Sequence, residues 1–145
     1  MKRRLLPSLA LAAAVAFLPG CEEETGRPTQ VPGTAGTETS QLILALRELG
    51  VTAEVVDIVP AGSGLLSAPS TRVTVSGAMV TVFEFATVAE ADAEAGRVPD
   101  ILAVTRWTAP PHFFRGNRLI VLYVGTDEAV LGPLQRLLGP QFAGH

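Results

Sequence analysis

The chain has 145 residues, of which 48% are hydrophobic and 17% are charged. Its first 20 residues hold three of the eleven cationic side chains, so the remainder sets eight arginines against fourteen acids, a formal charge of −6. This balance argues against nucleic acid as a partner, because binding to phosphates needs a cationic surface. The only cysteine is Cys21, so an intrachain disulfide is excluded and the core alone must stabilise the fold.

The first 20 residues have the three regions of a secretory signal peptide. Cationic residues at positions 2–4 precede an apolar run from Leu5 to Leu18, which is interrupted only by Pro7 and Ser8. The run is about 14 residues long, whereas a transmembrane helix needs about 20. We therefore expect residues 1–20 to direct export and then to be removed.

Cys21 directly follows Leu18-Pro19-Gly20, and this tetrapeptide resembles a bacterial lipobox, in which the cysteine is lipidated. Pro19 departs from the small or β-branched residue of the usual pattern. The resemblance implies acyl chains, palmitate among them, that anchor the protein to a membrane of the cell envelope, on its periplasmic or outer-surface side. Two or more chains make such an anchor stable. The alternative is cleavage by an ordinary signal peptidase, which leaves a free, oxidisable thiol at Cys21.

Residues 21–39 are predicted as the lipidated cysteine and a flexible tether, and residues 40–145 as a single α+β domain. Val31 is the only large apolar side chain of the tether, which consists mostly of Glu, Thr, Gly and Pro. So little apolar surface cannot offset the entropy that ordering the segment would cost. Random-coil scaling gives the tether a reach of about 20–25 Å, so the domain can move over the membrane surface.

The first half of the domain is predicted as one helix and three strands. Its elements are, in chain order, a helix over Ser40–Gly50 and strands over Val51–Ile58, Arg72–Val75 and Ala78–Phe85. The last two strands are joined by Ser76-Gly77, a tight-turn signal. A loop over Pro60–Thr71 is expected to be held to the core by Leu65 and Leu66. Because the strand Ala78–Phe85 is apolar on both faces, we expect it at the centre of the sheet.

The second half is predicted as two helices that enclose two strands. Its elements are a helix over Val88–Ala95, strands over Val104–Thr108 and Arg118–Val124, and a last helix that Thr126 caps and Gly139 ends. The first of these helices starts in a capping box, Thr87-Val88-Ala89-Glu90. The order α-β-β-β-α-β-β-α predicts an α+β fold, a two-layer sandwich whose mostly antiparallel sheet has helices packed on one face.

The stretch from Arg106 to Arg118 combines the only tryptophan, three arginines and two phenylalanines with two consecutive prolines. It predicts a binding patch formed by Trp107, His112, Phe113 and Arg115. There an anion or a planar ligand would stack on the aromatic rings and pair with the arginine. In the alternative interpretation the stretch is structural, with Trp107 and Phe113 in the core and the arginines as solvated strand ends.

Side chains suited to catalysis are few. No metal site and no cofactor are expected, because His112 and His145 are accompanied only by scattered carboxylates. A small metal-independent hydrolase remains an alternative, in which His112 acts as general base for Ser63, Ser67 or Ser70.

Two further features have a structural and a functional interpretation. Gly62-Ser63-Gly64 superficially resembles a phosphate loop, but the Gly-Lys-Ser/Thr of such loops does not follow it. Glu84, between two phenylalanines, is expected to face water or to pair with an arginine of a neighbouring strand. The alternative is a buried acid with a raised pKa.

Two stretches of the domain are similar to a known family. They are PHFFRGNRLIVLYVG, residues 111–125, and LGPQFAG, residues 138–144. Both resemble a family of uncharacterised small bacterial envelope lipoproteins, and the resemblance extends over most of the domain. It implies an envelope location and a compact α+β domain, but no activity and no catalytic residues.

The sequence thus predicts a lipid-anchored envelope protein whose domain is a non-catalytic interaction or ligand-binding module. Its expected partners are the membrane, through the anchor, and either an envelope protein or a small molecule of unknown identity. The alternatives are the hydrolase based on His112 and an accessory or inhibitor subunit of a larger envelope complex.

Overall fold

A computed structural model describes residues 36–145 of the chain. The predicted signal peptide, Cys21 and most of the predicted tether lie outside the described residues. The elements are, in chain order, α1 (Thr37–Glu48), β1 (Ala53–Val59), β2 (Ser70–Val75), β3 (Ala78–Glu84), α2 (Val88–Val104), β4 (Pro111–Gly116), β5 (Leu119–Val124), α3 (Glu128–Leu138) and β6 (Ala143–Gly144). The predicted α+β class and the order α-β-β-β-α-β-β-α are confirmed, and the short strand β6 follows the last helix.

All six strands of the described part form one antiparallel sheet in the order β1-β2-β3-β5-β4-β6. Strand β3 lies between β2 and β5, so its predicted central position is confirmed. The predicted turn between β2 and β3 is confirmed as well, with φ of 49° at Ser76 and 83° at Gly77. Positive φ at both turn residues gives a twist that matches the two strands.

Both faces of the sheet are covered. Helices α1 and α3 pack on one side, the α1/α3 face, whereas α2 and the loop over residues 60–69 cover the other side, the α2 face. The central strands bury neighbouring residues on opposite faces, as in the pairs Val82 and Phe83, Phe114 and Phe113, and Val121 and Ile120. The prediction that all helices pack on one face is therefore wrong, because a sheet that is apolar on both sides needs two covers.

Helix α2 differs most from its predicted bounds. It ends at Val104 rather than at Ala95, after passing through Pro99. The strand predicted over Val104–Thr108 is therefore wrong, and β4 takes its place further along the chain. Val98 is fully buried against the α2 face. Burial of this side of the helix outweighs the unfavourable helix propensity of proline.

Three smaller differences concern the ends of elements. Helix α1 begins at Thr37, inside the segment predicted as tether. Leu66 is buried and holds the loop after β1, whereas Leu65 is exposed, so only one of the two predicted anchors operates. Helix α3 is capped by Asp127 in place of Thr126, because the Asp127 carboxylate accepts a backbone N–H of the first turn at 2.9 Å.

The N-terminus of α1 is capped by a side chain from the sheet. Gly36 holds the cap position and has no side chain of its own. The carboxylate of Glu84, at the end of β3, accepts from Thr39 N–H at 2.9 Å, Thr39 Oγ1 at 2.7 Å and Glu38 N–H at 3.3 Å. Arg118 donates to Glu84 at 3.2 Å and to Glu38 at 2.7 Å. We call this arrangement the N-cap network; it joins α1 to the sheet.

We predict that Glu84→Ala lowers the free energy of unfolding by about 1–3 kcal/mol, because it leaves helix N–H groups and the Arg118 guanidinium without their acceptor. Urea unfolding measures the change. Glu54→Ala, on the exposed side of β1, is the matched control and is expected to change the value by less than about 0.5 kcal/mol. Equal effects of the two substitutions would contradict the role of Glu84.

Candidate functional site

The residues of the predicted binding patch do not form one surface. Side chains alternate along β4, so Phe113 and Arg115 lie on the α2 face and His112 lies on the α1/α3 face. Trp107, in the loop after α2, packs against the core of the α2 face. The prediction of one patch is wrong, because residues adjacent in a strand are separated by the sheet.

An aromatic cluster remains on the α2 face. The ring of Phe113 lies 6.1 Å from that of Trp107, edge to face, and 6.2 Å from that of Phe142. Phe113 is fully buried, Trp107 is half-buried and Phe142 is 40% exposed. Sequence reasoning missed Phe142, although the residue lies in the second stretch of the family resemblance.

Two features near this cluster are unusual for residues whose only role is to cover a hydrophobic core. Trp107 Nε1 is buried and has no hydrogen-bond partner within residues 36–145, an arrangement that costs stability. Val104, three residues earlier at the end of α2, is 83% exposed. We call Val104, Trp107 and Phe142 the apolar rim of the α2 face.

The C-terminal segment positions one side of the apolar rim. Strand β6 pairs with β4, and His145 N–H donates to the Pro111 carbonyl at 3.1 Å. Gly144 has φ of 107°, and a Cβ at this position would collide with the same carbonyl oxygen. The stretches 111–125 and 138–144, which are far apart in sequence, are therefore in direct contact.

Arg115 has a structural role. Its guanidinium pairs with the Asp92 carboxylate and donates to the backbone carbonyls of Val88 at 3.4 Å and Asn117 at 3.2 Å. These contacts tie the first turns of α2 to the β4–β5 turn. Arg115 Nε is buried without a partner among the described residues, and the other two guanidinium nitrogens are engaged, so an anion would have to displace Asp92 to pair with them.

His112 is enclosed on the opposite face. It is 7% exposed, its ring stacks on Tyr123 at 6.2 Å, and its Nδ1 lies within hydrogen-bond distance of the Gln141 side-chain oxygen. His112 Nε2 is buried and has no partner among the described residues.

The serines proposed as nucleophiles lie on the other side of the sheet from His112. Ser63 and Ser70 line a pocket on the α2 face, and the Ser67 N–H donates to Glu94 of α2 at 3.2 Å. A general base must reach its nucleophile directly or through one water. The structure does not bring His112 and these serines together.

A pocket of about 280 Å³ lies between the loop over residues 60–69 and the sheet, and we call it the loop pocket. The floor of this pocket is formed by residues that lie opposite one another on the neighbouring strands β2, β3 and β5. The lining residues are Val59, Ser63, Gly64, Leu65, Ser70, Arg72, Thr81, Phe83 and Leu122. No phosphate-loop geometry is present here, because Gly62-Ser63-Gly64 runs above a sheet and not into a helix N-terminus.

The loop over this pocket is held down by a buried carboxylate of α2. Glu94 accepts from Ser67 N–H at 3.2 Å and from Arg97 at 2.7 Å. Burial acts to raise the pKa of Glu94, but the hydrogen bonds from Ser67 and Arg97 outweigh it, so the pKa lies below its usual value. Leu66 and Ala68, both buried, add apolar contacts on either side of Ser67.

The part of the chain that the structure describes contains no group of metal-ligating side chains. Between residues 36 and 145, no three His, Cys, Asp or Glu side chains are grouped so that they could hold a metal ion. None of the helices in that range has the length and apolarity needed to cross a membrane.

No protein-family model, curated protein or solved structure matches the chain. The resemblance to envelope lipoproteins stays a prediction.

We predict that Glu94→Gln destabilises the fold in a pH-dependent way. Because the folded-state pKa is lowered, the carboxylate stabilises the fold above the ordinary glutamate pKa of about 4.3, and this contribution disappears as the pH falls through the lower value. The difference in free energy of unfolding between wild type and Glu94→Gln should be about 1 kcal/mol at neutral pH and should fall toward zero as acid protonates the carboxylate.

Urea unfolding from neutral to acidic pH measures the effect, and Asp100→Asn, which is exposed on the same helix, is the matched control for loss of one carboxylate from α2. A difference that stays constant or grows toward acid would show that Glu94 does not hold the loop through its charge.

Proposed function

We propose that the chain is a lipid-anchored envelope protein whose domain binds an envelope protein partner without catalysing a reaction. The anchor part of the proposal is supported by the signal-peptide pattern and by Cys21, which lie outside the described residues. The interaction part is supported by the apolar rim. Acyl chains at Cys21 would keep the domain at the membrane, where its partner would be met at high local concentration.

The observation that carries the interaction function is the exposure of the apolar rim. Phe142, which is 40% exposed, and the half-buried Trp107 both pack against Phe113, and Trp107 Nε1 has no partner among the described residues. Val104, three residues before Trp107 in the chain, is 83% exposed. Tryptophan and other aromatic residues are enriched among the few residues that dominate binding at protein interfaces. Large apolar side chains that are clustered at a surface mark such interaction sites more often than scattered ones do.

The hydrolase alternative is weakened by the position of His112. The ring is enclosed between Tyr123 and Gln141 on the α1/α3 face, away from the loop serines. An accessory or inhibitor subunit of an envelope complex uses the same kind of surface as the preferred function. The identity of the captured partner distinguishes these two possibilities.

The anchor is tested by Cys21→Ser. We expect wild-type protein in the membrane fraction and labelled by a palmitate analogue, and the variant unlabelled and released into the aqueous fraction. Trp107→Ala, which leaves Cys21 intact, is the control and should remain in the membrane fraction. Labelling or membrane retention that is unchanged in Cys21→Ser would refute the anchor.

The interaction surface is tested by crosslinked pull-down from the native envelope. The rim variant Trp107→Ala/Phe142→Ala should lose a specific partner by at least about tenfold, because hot-spot truncations cost 2 kcal/mol or more. The matched control is Leu44→Ala/Met79→Ala, which removes apolar side chains that are 57% and 44% exposed elsewhere on the domain. Circular dichroism confirms that both variants fold. Recovery of the same partner by the folded rim variant would contradict the proposal.

A further inference from the structure

The loop pocket is a second site, independent of the anchor and of the apolar rim. We propose that it binds a small apolar molecule that carries one oxygen head group, a carboxylate or a hydroxyl. Apolar contact comes from Val59, Leu65, Phe83 and Leu122, of which Leu65 is the most exposed at 37%. Three hydroxyl side chains and one arginine also line the pocket.

The size of the pocket fits a ligand of one or two rings. Its volume is about 280 Å³, whereas a cavity of about 150 Å³ lined by apolar side chains is sufficient to bind benzene. A benzene ring with a short side chain and a head group would therefore fill the space. A ligand of this size is smaller than the acyl chains of the predicted lipid anchor.

Gly64 keeps the space open. A Cβ at this position would lie 3.5 Å from Phe83 Cε1 and 3.7 Å from Ser70 Oγ, in ordinary van der Waals contact. A side chain at residue 64 would thus point into the pocket without a backbone clash.

The polar groups of the pocket select the head group. Ser63, Ser70 and Thr81 contribute hydroxyls, which donate to an oxygen acceptor. The charge of the Arg72 guanidinium is paired with Asp57 through Nε at 2.6 Å and through Nη2, which leaves Nη1 outside that pair as a further hydrogen-bond donor. No carboxylate belongs to the lining residues. The lining therefore favours an anionic or neutral oxygen over an ammonium group.

The pocket is also held in a preformed shape. Its floor lies on the three hydrogen-bonded strands β2, β3 and β5, and its loop is fastened by Ser67 to Glu94 and by the buried Leu66. A site whose walls are fixed before binding loses little entropy when the ligand enters. Binding pockets for small molecules are usually preformed in this way.

The test uses the full-length protein in detergent micelles and three probes of equal size, benzoate, benzyl alcohol and benzylamine, followed by the amide NMR signals of the pocket. We expect saturable shifts at Ser70, Thr81 and Leu122 with benzoate and benzyl alcohol. Benzylamine should bind at least about tenfold more weakly than benzoate, because its ammonium group has no oxygen to accept from Arg72 Nη1.

Gly64→Leu fills the pocket and should weaken benzoate binding by at least about tenfold. The same substitution in Gly96→Leu is the matched control, since a Cβ on Gly96 meets nothing within 4 Å. If Gly64→Leu does not fold, Thr81→Val removes one pocket hydroxyl and should weaken binding about fivefold. Thr74→Val, on the same face outside the pocket, is its control.

The proposal is overturned if benzoate and benzyl alcohol produce no saturable shifts at the pocket, if benzylamine binds as tightly as benzoate, or if folded Gly64→Leu binds benzoate like wild type. None of these results bears on the apolar rim, which lies at the other end of α2 and is tested by protein capture.

Discussion

Strands β3, β4 and β5 are apolar on both of their faces, and the rest of the fold follows from this double burial. Residues next to each other in these strands, such as Phe113 and Phe114, enter separate cores on opposite sides of the sheet. Two helices cover one face, and one helix and a loop cover the other. The loop pocket lies between that loop and the sheet.

The two faces consequently have different roles in our account. The α1/α3 face is closed at one end by the N-cap network, in which Glu84 joins the first helix to the sheet. The α2 face carries both surfaces to which we assign binding, the apolar rim near the C-terminus and the loop pocket beside β2. Helix α2 connects them, since Glu94 fastens the loop and Val104 belongs to the rim.

Features set by neighbouring residues could be predicted from the sequence. The order of elements, the Ser76-Gly77 turn and the Thr87 cap are of this kind, and Thr87 Oγ1 accepts from Glu90 N–H at 3.1 Å. Features set by distant contacts could not. Glu84 caps a helix 45 residues earlier in the chain, and the length of α2 depends on burial against a sheet. The predicted patch failed because period-two alternation separates His112 from Phe113, and Phe142 joins the aromatic cluster only through the β4–β6 pairing.

The separation of His112 from the aromatic cluster decides which residues can form the interaction surface. Nuclear Overhauser contacts between aromatic protons of the detergent-solubilised, full-length protein test this separation directly. We expect contacts from Phe113 to Trp107 and to Phe142, and from His112 to Tyr123. Contacts between His112 and Trp107 would contradict it, because the two side chains would then share one face of the sheet.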